Sequence, residues 1–190
     1  ADTALVEAAS KLPLREFRGH NDVIKSVAFS PDGRYVLTGS ADTTVKLWEA
    51  ATGQAVRTLL GHDGEISSVA FSPDGKYMLS GSADTTAKLW EVTTGQEVHT
   101  LRGHTAEVLG VAFAPDGKYA LTTSGDNNPK LWDVATGQEV RTFVGLGSPA
   151  AFAPDGKHVL TGAERYTAKL WEIATGQEVH TLRGHSNWVY

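Results

Sequence analysis

The 190-residue chain has no cysteine, so disulfides and thiolate metal sites are excluded, and it suits either redox setting. No apolar run approaches the ~18 residues that a membrane-spanning helix needs. Basic clusters are missing as well. The 17 Lys and Arg residues are scattered at repeating positions against 22 acidic ones, and the net charge of −5 argues against nucleic acid as a partner. After residue 19 no stretch sustains a helical period. The chain begins at Ala1, not Met, and shows no signal-peptide pattern, which reads as a processed chain or an excerpt of a longer one. Its opening, residues 1–11, reads as a lead-in or linker that Pro13 closes. The expected location is cytoplasmic.

What is present is one phrase, repeated. Gly19, Gly61, Gly103 and Gly145 are spaced by 42 residues and Gly184 follows after 39; Trp48, Trp90 and Trp132 keep the same spacing, with Trp171 after 39. Residues 19–60 and 61–102 agree at 29 of 42 positions, far above compositional chance, so the chain is an array of one unit. Units run 19–60, 61–102, 103–144 and 145–183. Residues 12–18 align with the end of a unit and read as a lone fourth strand, and 184–190 begin a fifth copy.

Each unit reads as four short strands. In the first copy these are 26–30, 34–40, 45–49 and 55–60. The turns between them are SPDG, where Pro presets φ and Gly accepts φ > 0, ADTT, where Asp can bond its own backbone, and ATGQ. Such a meander cannot bury both faces alone, so neighbouring copies must stack. The predicted class is all-β.

A Gly-His pair, an SVAFSPDG-like strand and turn, and a GSADTTVKLW-like hairpin resemble the WD40 repeat, over residues 12–190. The resemblance implies a β-propeller of radial four-stranded antiparallel blades, here four complete blades with partial strands at both ends: a propeller segment or half-ring. Only Trp132-Asp133 keeps the dipeptide common in that family; the other copies read Trp-Glu. It further implies a buried hydrogen-bond network in each blade: His20, Thr38, Asp42 and Trp48; His62, Ser80, Asp84 and Trp90; His104, Thr122, Asp126 and Trp132. Indole only donates, a hydroxyl gives and accepts, and a carboxylate fixes the imidazole tautomer. The near-identical copies resemble arrays of bacterial multidomain proteins.

A hydroxyl, His and Asp together also suggest catalysis, but a set copied once per unit is structural, and a hydroxyl bonded to Trp is a poor nucleophile. His99, His158 and His180 form no metal-like cluster, and no glycine-rich loop precedes a helix. The inner strands read SVAF, SVAF, GVAF and PAAF, without a titratable group, which weighs against an enzyme site in a channel. No catalytic residue, metal or cofactor is expected.

The copies differ most just after Gly-His. In the resemblance these loops share one face with the turns before the third strand. The candidate partner-binding rim is Val23, Lys25, Glu65, Glu107, Leu109, Glu164, Arg165, Tyr166, Trp188 and Tyr190, which suits a protein or peptide. A purely structural role, with two chains completing one ring as a homodimer, is the alternative. The fourth copy stands apart. Arg165 replaces the Asp, Leu146 replaces the His, Pro149 enters the first strand, and three residues are lost before Phe152. Its first strand should be short.

Overall fold

A computed structural model describes residues 16–145, 150–163 and 167–184. Among them are sixteen strands and no helix. Blade 1 holds β1 (Ile24–Phe29), β2 (Tyr35–Ser40), β3 (Val45–Glu49) and β4 (Ala55–Leu59). Blade 2 holds β5 (Ile66–Phe71), β6 (Tyr77–Ser82), β7 (Ala87–Glu91) and β8 (Glu97–Leu101). Blade 3 holds β9 (Val108–Phe113), β10 (Tyr119–Ser124), β11 (Lys130–Asp133) and β12 (Glu139–Thr142). Blade 4 holds β13 (Ala150–Phe152), β14 (His158–Ala163), β15 (Thr167–Glu172) and β16 (Glu178–Leu182). Each blade is an antiparallel meander in sequence order.

The turns close as their chemistry demands. Gly33 adopts φ 70° and donates to Ser30 O at 2.9 Å, and Ser30 N donates to Tyr35 O at 2.9 Å. β1 begins two residues before the expected position because Ile24 pairs with Ser40 beyond a bulge between Ile24 and Ser26. β4 stops at Leu59, and Leu60 is exposed. The expected lone strand over 12–18 is described only for Glu16–Arg18, which carry no strand; residues 12–15 and 185–190 lie outside the described residues. Phe17 nonetheless packs edge-on to Trp48 with ring centroids 5.8 Å apart, and Phe143 packs at a tilt against Trp171 at 5.7 Å. β13 spans three described residues, against six in β1, β5 and β9.

The first strands β1, β5, β9 and β13 lie side by side, which makes them the inner strands, while the fourth strands are the outer edges. The core is not inside a sheet but between sheets. In the joint of blades 1 and 2, Leu37, Val45, Leu47 and Leu59 meet Ile66, Val69, Met78 and Trp90. The next joint repeats this with Leu79, Ala87, Leu89 and Leu101 against Val108, Ala120 and Trp132. Central strands such as β2 and β6 are therefore buried on both faces, which explains their unbroken apolar and small-residue runs.

Close approach is set by glycine. A Cβ at Gly39 would lie 2.5 Å from Ile66 Cγ2, and one at Gly81 would lie 2.7 Å from Val108 Cγ1. Opposite these glycines stand Ser26 and Ser68, whose hydroxyls accept Val69 N at 3.0 Å and Val111 N at 3.2 Å across the joint. Blade 3 reverses the pair: Gly110 stands opposite Thr123, and a Cβ at Gly110 would meet Thr123 Oγ1 at 2.7 Å. The two positions are thus coupled. Gly110→Ser alone should destabilise the chain by about 1–3 kcal/mol through overpacking. Adding Thr123→Gly, which recreates the Ser26–Gly39 pair, should recover most of that loss in urea unfolding. An additive double variant would contradict the coupling.

Candidate functional site

The register of β2 and β3 sets the network. Trp48 stands opposite Val36, so its indole reaches diagonally to Thr38, two residues along the same face. Trp48 Nε1 donates to Thr38 Oγ1 at 2.8 Å, and His20 Nε2 lies 2.7 Å from the same oxygen. His20 Nδ1 lies 2.9 Å from Asp42 Oδ2. Blade 2 repeats the chain through Trp90, Ser80, His62 and Asp84 at 2.9, 2.8 and 2.7 Å. Blade 3 does so through Trp132, Thr122, His104 and Asp126 at 2.8, 2.7 and 2.8 Å. These bonds involve the twelve residues that the family resemblance implied.

The proton directions follow. An ionised carboxylate only accepts, so each Nδ1 carries hydrogen and each Nε2 accepts. The hydroxyl then donates to Nε2 while accepting from indole. The Asp is held by more than His. Asp84 Oδ2 accepts Asp63 N at 3.0 Å, and its Oδ1 accepts Thr86 N at 2.9 Å and Thr86 Oγ1 at 2.7 Å. Burial pushes its pKa up, but the hydrogen bonds from Thr86 and His62 outweigh burial and hold it at about 2. Burial lowers the pKa values of His62 and His104 below the ordinary 6.5, against the opposing pull of Asp84 and Asp126.

In geometry Asp84–His62–Ser80 matches a charge-relay set, yet Ser80 is fully buried and Trp90 fills a lone pair on its oxygen. It cannot reach a substrate. Among the described residues no group of three or more His, Asp and Glu side chains is arranged to hold a metal.

The network fixes an outer surface. Ala41 N donates to Val23 O, Ala83 N to Glu65 O and Gly125 N to Glu107 O, at 2.9, 2.9 and 3.0 Å. The loops after Gly-His and the turns before the third strands therefore share one face. On it Val23 and Leu109 are exposed, Glu65 and Glu107 reach solvent, and Lys25 of blade 1 pairs with Glu65 of blade 2. Glu164, Arg165, Tyr166, Trp188 and Tyr190 lie outside the described residues, as do Leu146 and Pro149.

Sequence reasoning missed three contributors. Ser40, Ser82 and Ser124 clasp the loops: Ser82 Oγ donates to Gly64 O at 3.0 Å and accepts Asp84 N at 3.1 Å. The repeated serine after Gly39 and Gly81 was the available signal; blade 4 has Ala163 there. Thr44, Thr86 and Asn128 cap the Asp by i+2 bonds. Lys88 and Lys130 are buried and pair with Glu97 and Glu139 at 2.7 and 2.8 Å, a contact between strands that no local pattern reveals.

The WD domain, G-beta repeat family model matches residues 11–49, 53–91 and 95–133, more than half of the chain. Ribosome assembly protein 4 of Saccharomyces cerevisiae is 46% identical over 39 residues, 20% of this chain and 8% of that protein. A ribosome biogenesis protein BOP1 homolog of Aedes aegypti is 53% identical over 32 residues, 17% of this chain and 4% of its own length. The target of rapamycin complex subunit wat1 of Schizosaccharomyces pombe is 40% identical over 43 residues, 23% of this chain and 14% of that protein. The matches thus span a small part of each relative. All three are eukaryotic and lend no support to the expected bacterial origin.

The unfolded chain takes up protons at its histidines near pH 6.5, whereas folded His62 and His104 do so only at lower pH. Their contribution to stability is therefore complete above pH 6.5 and lost as pH falls through the depressed values; Asp84 adds a further loss below 3.8. Urea unfolding at pH 7 and pH 5 should show this fall. His62→Asn with His104→Asn should flatten it, and an unchanged slope would contradict the assignment.

Proposed function

The chain belongs to the WD40 repeat family, and from that premise we propose that it is a non-catalytic scaffold binding a protein or peptide at its loop-bearing face. The observation that carries the reading is the pinning of variable loops to a rigid network. The backbone of Val23, Glu65 and Glu107 is tied to the blade turns, while their side chains face solvent, an apolar one in blade 1 and an acid in blades 2 and 3. Rigid framework with variable exposed tips is the arrangement that binding sites favour. The burial of the hydroxyls speaks for binding over catalysis. The net charge of −5 speaks for protein over nucleic acid.

The names of the relatives concern ribosome assembly and a complex subunit, which suits a part in building larger assemblies. The small share of each relative that is matched suits a segment of a larger multidomain protein, in the cytoplasm.

A second reading, two chains completing one ring, draws on the uncovered end faces. Val27 and Phe29 of β1 are 66% and 71% exposed and Leu182 of β16 is 51% exposed, whereas the corresponding Val69 and Leu101 are 6% and 3% exposed. Sedimentation distinguishes the two: a well-behaved monomer ends the ring reading.

The rim itself is tested by the triple variant Glu65→Lys, Glu107→Lys and Leu109→Ser, compared with the wild-type chain in quantitative affinity capture. Partners should be lost at least tenfold with unchanged unfolding midpoint. Undiminished capture of every wild-type partner would defeat the rim.

A further inference from the structure

Each third strand carries a lysine that faces a threonine of the fourth strand: Lys46 and Thr58, Lys88 and Thr100, Lys130 and Thr142, Lys169 and Thr181. In blades 2, 3 and 4 a glutamate stands opposite the tryptophan and joins that pair. Lys88 Nζ donates to Thr100 Oγ1 at 2.9 Å and to Glu97 Oε2 at 2.7 Å, and Thr100 Oγ1 donates to Glu97 Oε1. Blade 3 repeats these bonds among Lys130, Thr142 and Glu139 at 2.8, 2.8 and 2.6 Å. In blade 4 Lys169 lies 2.8 Å from Glu178, which also accepts from Thr181. Burial pushes the pKa values of Glu97 and Glu139 up, but the bonds from Lys and Thr outweigh burial and hold both below the ordinary carboxylate value. One ionised carboxylate, shared between an ammonium and a hydroxyl, is the regular filling of this place.

Blade 1 keeps the donors and lacks the carboxylate. Ala55 stands opposite Trp48, where the other blades have Glu. Lys46 Nζ still donates to Thr58 Oγ1 at 2.9 Å, the distance found in blade 2. Among the described residues Lys46 has no carboxylate partner and the Thr58 hydroxyl has no acceptor. Glu16 is turned to Arg18. The space itself is open. A Cβ at Gly61 would lie 3.6 Å from Glu97 Oε2 and one at Gly103 would lie 3.1 Å from Glu139 Oε2, whereas one at Gly19 would meet only the Trp48 ring. Lys46 is half-buried and Thr58 is exposed, so the place can be reached from solvent.

We propose that the Lys46–Thr58 pair is a carboxylate-binding site, filled by an acidic side chain that a protein partner supplies in trans. The proposal rests on the reading of the chain as a protein-binding scaffold. The three sister blades define what fits: one carboxylate oxygen on the ammonium and the other on the hydroxyl. The two donors already face each other at the sister distance, so the ligand finds them in place and need not gather them. The site uses none of the rim residues and gives blade 1 a contact of its own on its outer strand pair.

The probe is N-acetyl-glutamate N′-methylamide, titrated into the ¹⁵N-labelled chain, with the uncharged glutamine analogue at equal ionic strength as control. Saturable shifts are expected at the Lys46 ammonium and the Thr58 amide with the glutamate probe alone, and none at Lys88 and Thr100, whose place is filled. Ala55→Glu installs the residue that the other blades carry, so it should fold, and it should weaken the probe about tenfold, as should Lys46→Gln. Absent saturation, equal response to the glutamine analogue, equal shifts at Lys88, or full binding in Ala55→Glu would overturn the proposal. So would a response that emerges only in Asp2→Asn or Glu7→Gln, which would mean that an acid of the chain's own N-terminal segment holds the place. The rim triple variant should leave the probe response intact. Failure of the probe beside a rim-dependent partner therefore refutes the carboxylate site alone, not the scaffold reading.

Discussion

The structure depends on one oxygen in each of its first three blades, the hydroxyl of Thr38, Ser80 or Thr122. A hydroxyl can accept from indole and donate to imidazole at once, and both partners lie within 2.7–2.9 Å of it. Through it the third strand, which carries Trp, is tied to the loop that carries His. The His in turn is tied to the turn that carries Asp. A blade is four strands joined by short turns, with little to stop its outer end from splaying. The relay spans that end and joins three segments of one repeat unit, the loop of His20, the turn of Asp42 and the strand of Trp48 in blade 1. Because each hydroxyl is buried, breaking one link strands polar groups without water, and the relay tends to stand or fall together.

The same geometry explains why the surface can vary. The residues after Gly-His accept main-chain bonds from the following turn, and those bonds ask nothing of the side chain. Val23, Glu65 and Glu107 occupy one place in three blades, apolar in the first and acidic in the other two. Lys25 reaches across to Glu65, so neighbouring blades build a continuous rim and not isolated tips. A surface so held loses little entropy on binding, since the loops are ordered before a partner arrives.

Much of this was legible in the repeat itself. β3 fell at 45–49 as its apolar alternation and flanking turns required, whereas the relay residues were named from the family resemblance and not from the repeat alone. What escaped was contact between copies. Nothing local in the phrase TGS says that Gly39 makes room for Ile66, or that Ser26 takes the N–H of Val69, because those partners lie a whole unit away. Lys88 is buried and satisfied by Glu97 and Thr100. Blade 1 has Ala55 in place of that Glu, and Lys46 turns to Thr58 alone. Repeats reveal what each copy needs from itself, and only weakly what it needs from its neighbour.

Blade 4 shows which links are separable. It retains the indole-to-hydroxyl bond, Trp171 Nε1 to Thr161 Oγ1 at 2.9 Å, with Lys169 over the ring at 5.4 Å. It lacks the His and Asp in sequence, and it also lacks the clasping serine, since Ala163 stands where Ser82 stands in blade 2. The three losses are coherent. Without His there is no imidazole for an Asp to orient. Buried Ala163 has no polar side-chain atom to satisfy, whereas a serine or Asp there would need partners. The Trp–Thr bond survives because it serves the sheet, tying β15 to β14, and the joint with blade 3, where Phe143 meets Trp171. The relay is therefore two devices joined at one oxygen. One holds the strands of a blade together, and the other holds the loops that face a partner; blade 4 keeps the first without the second.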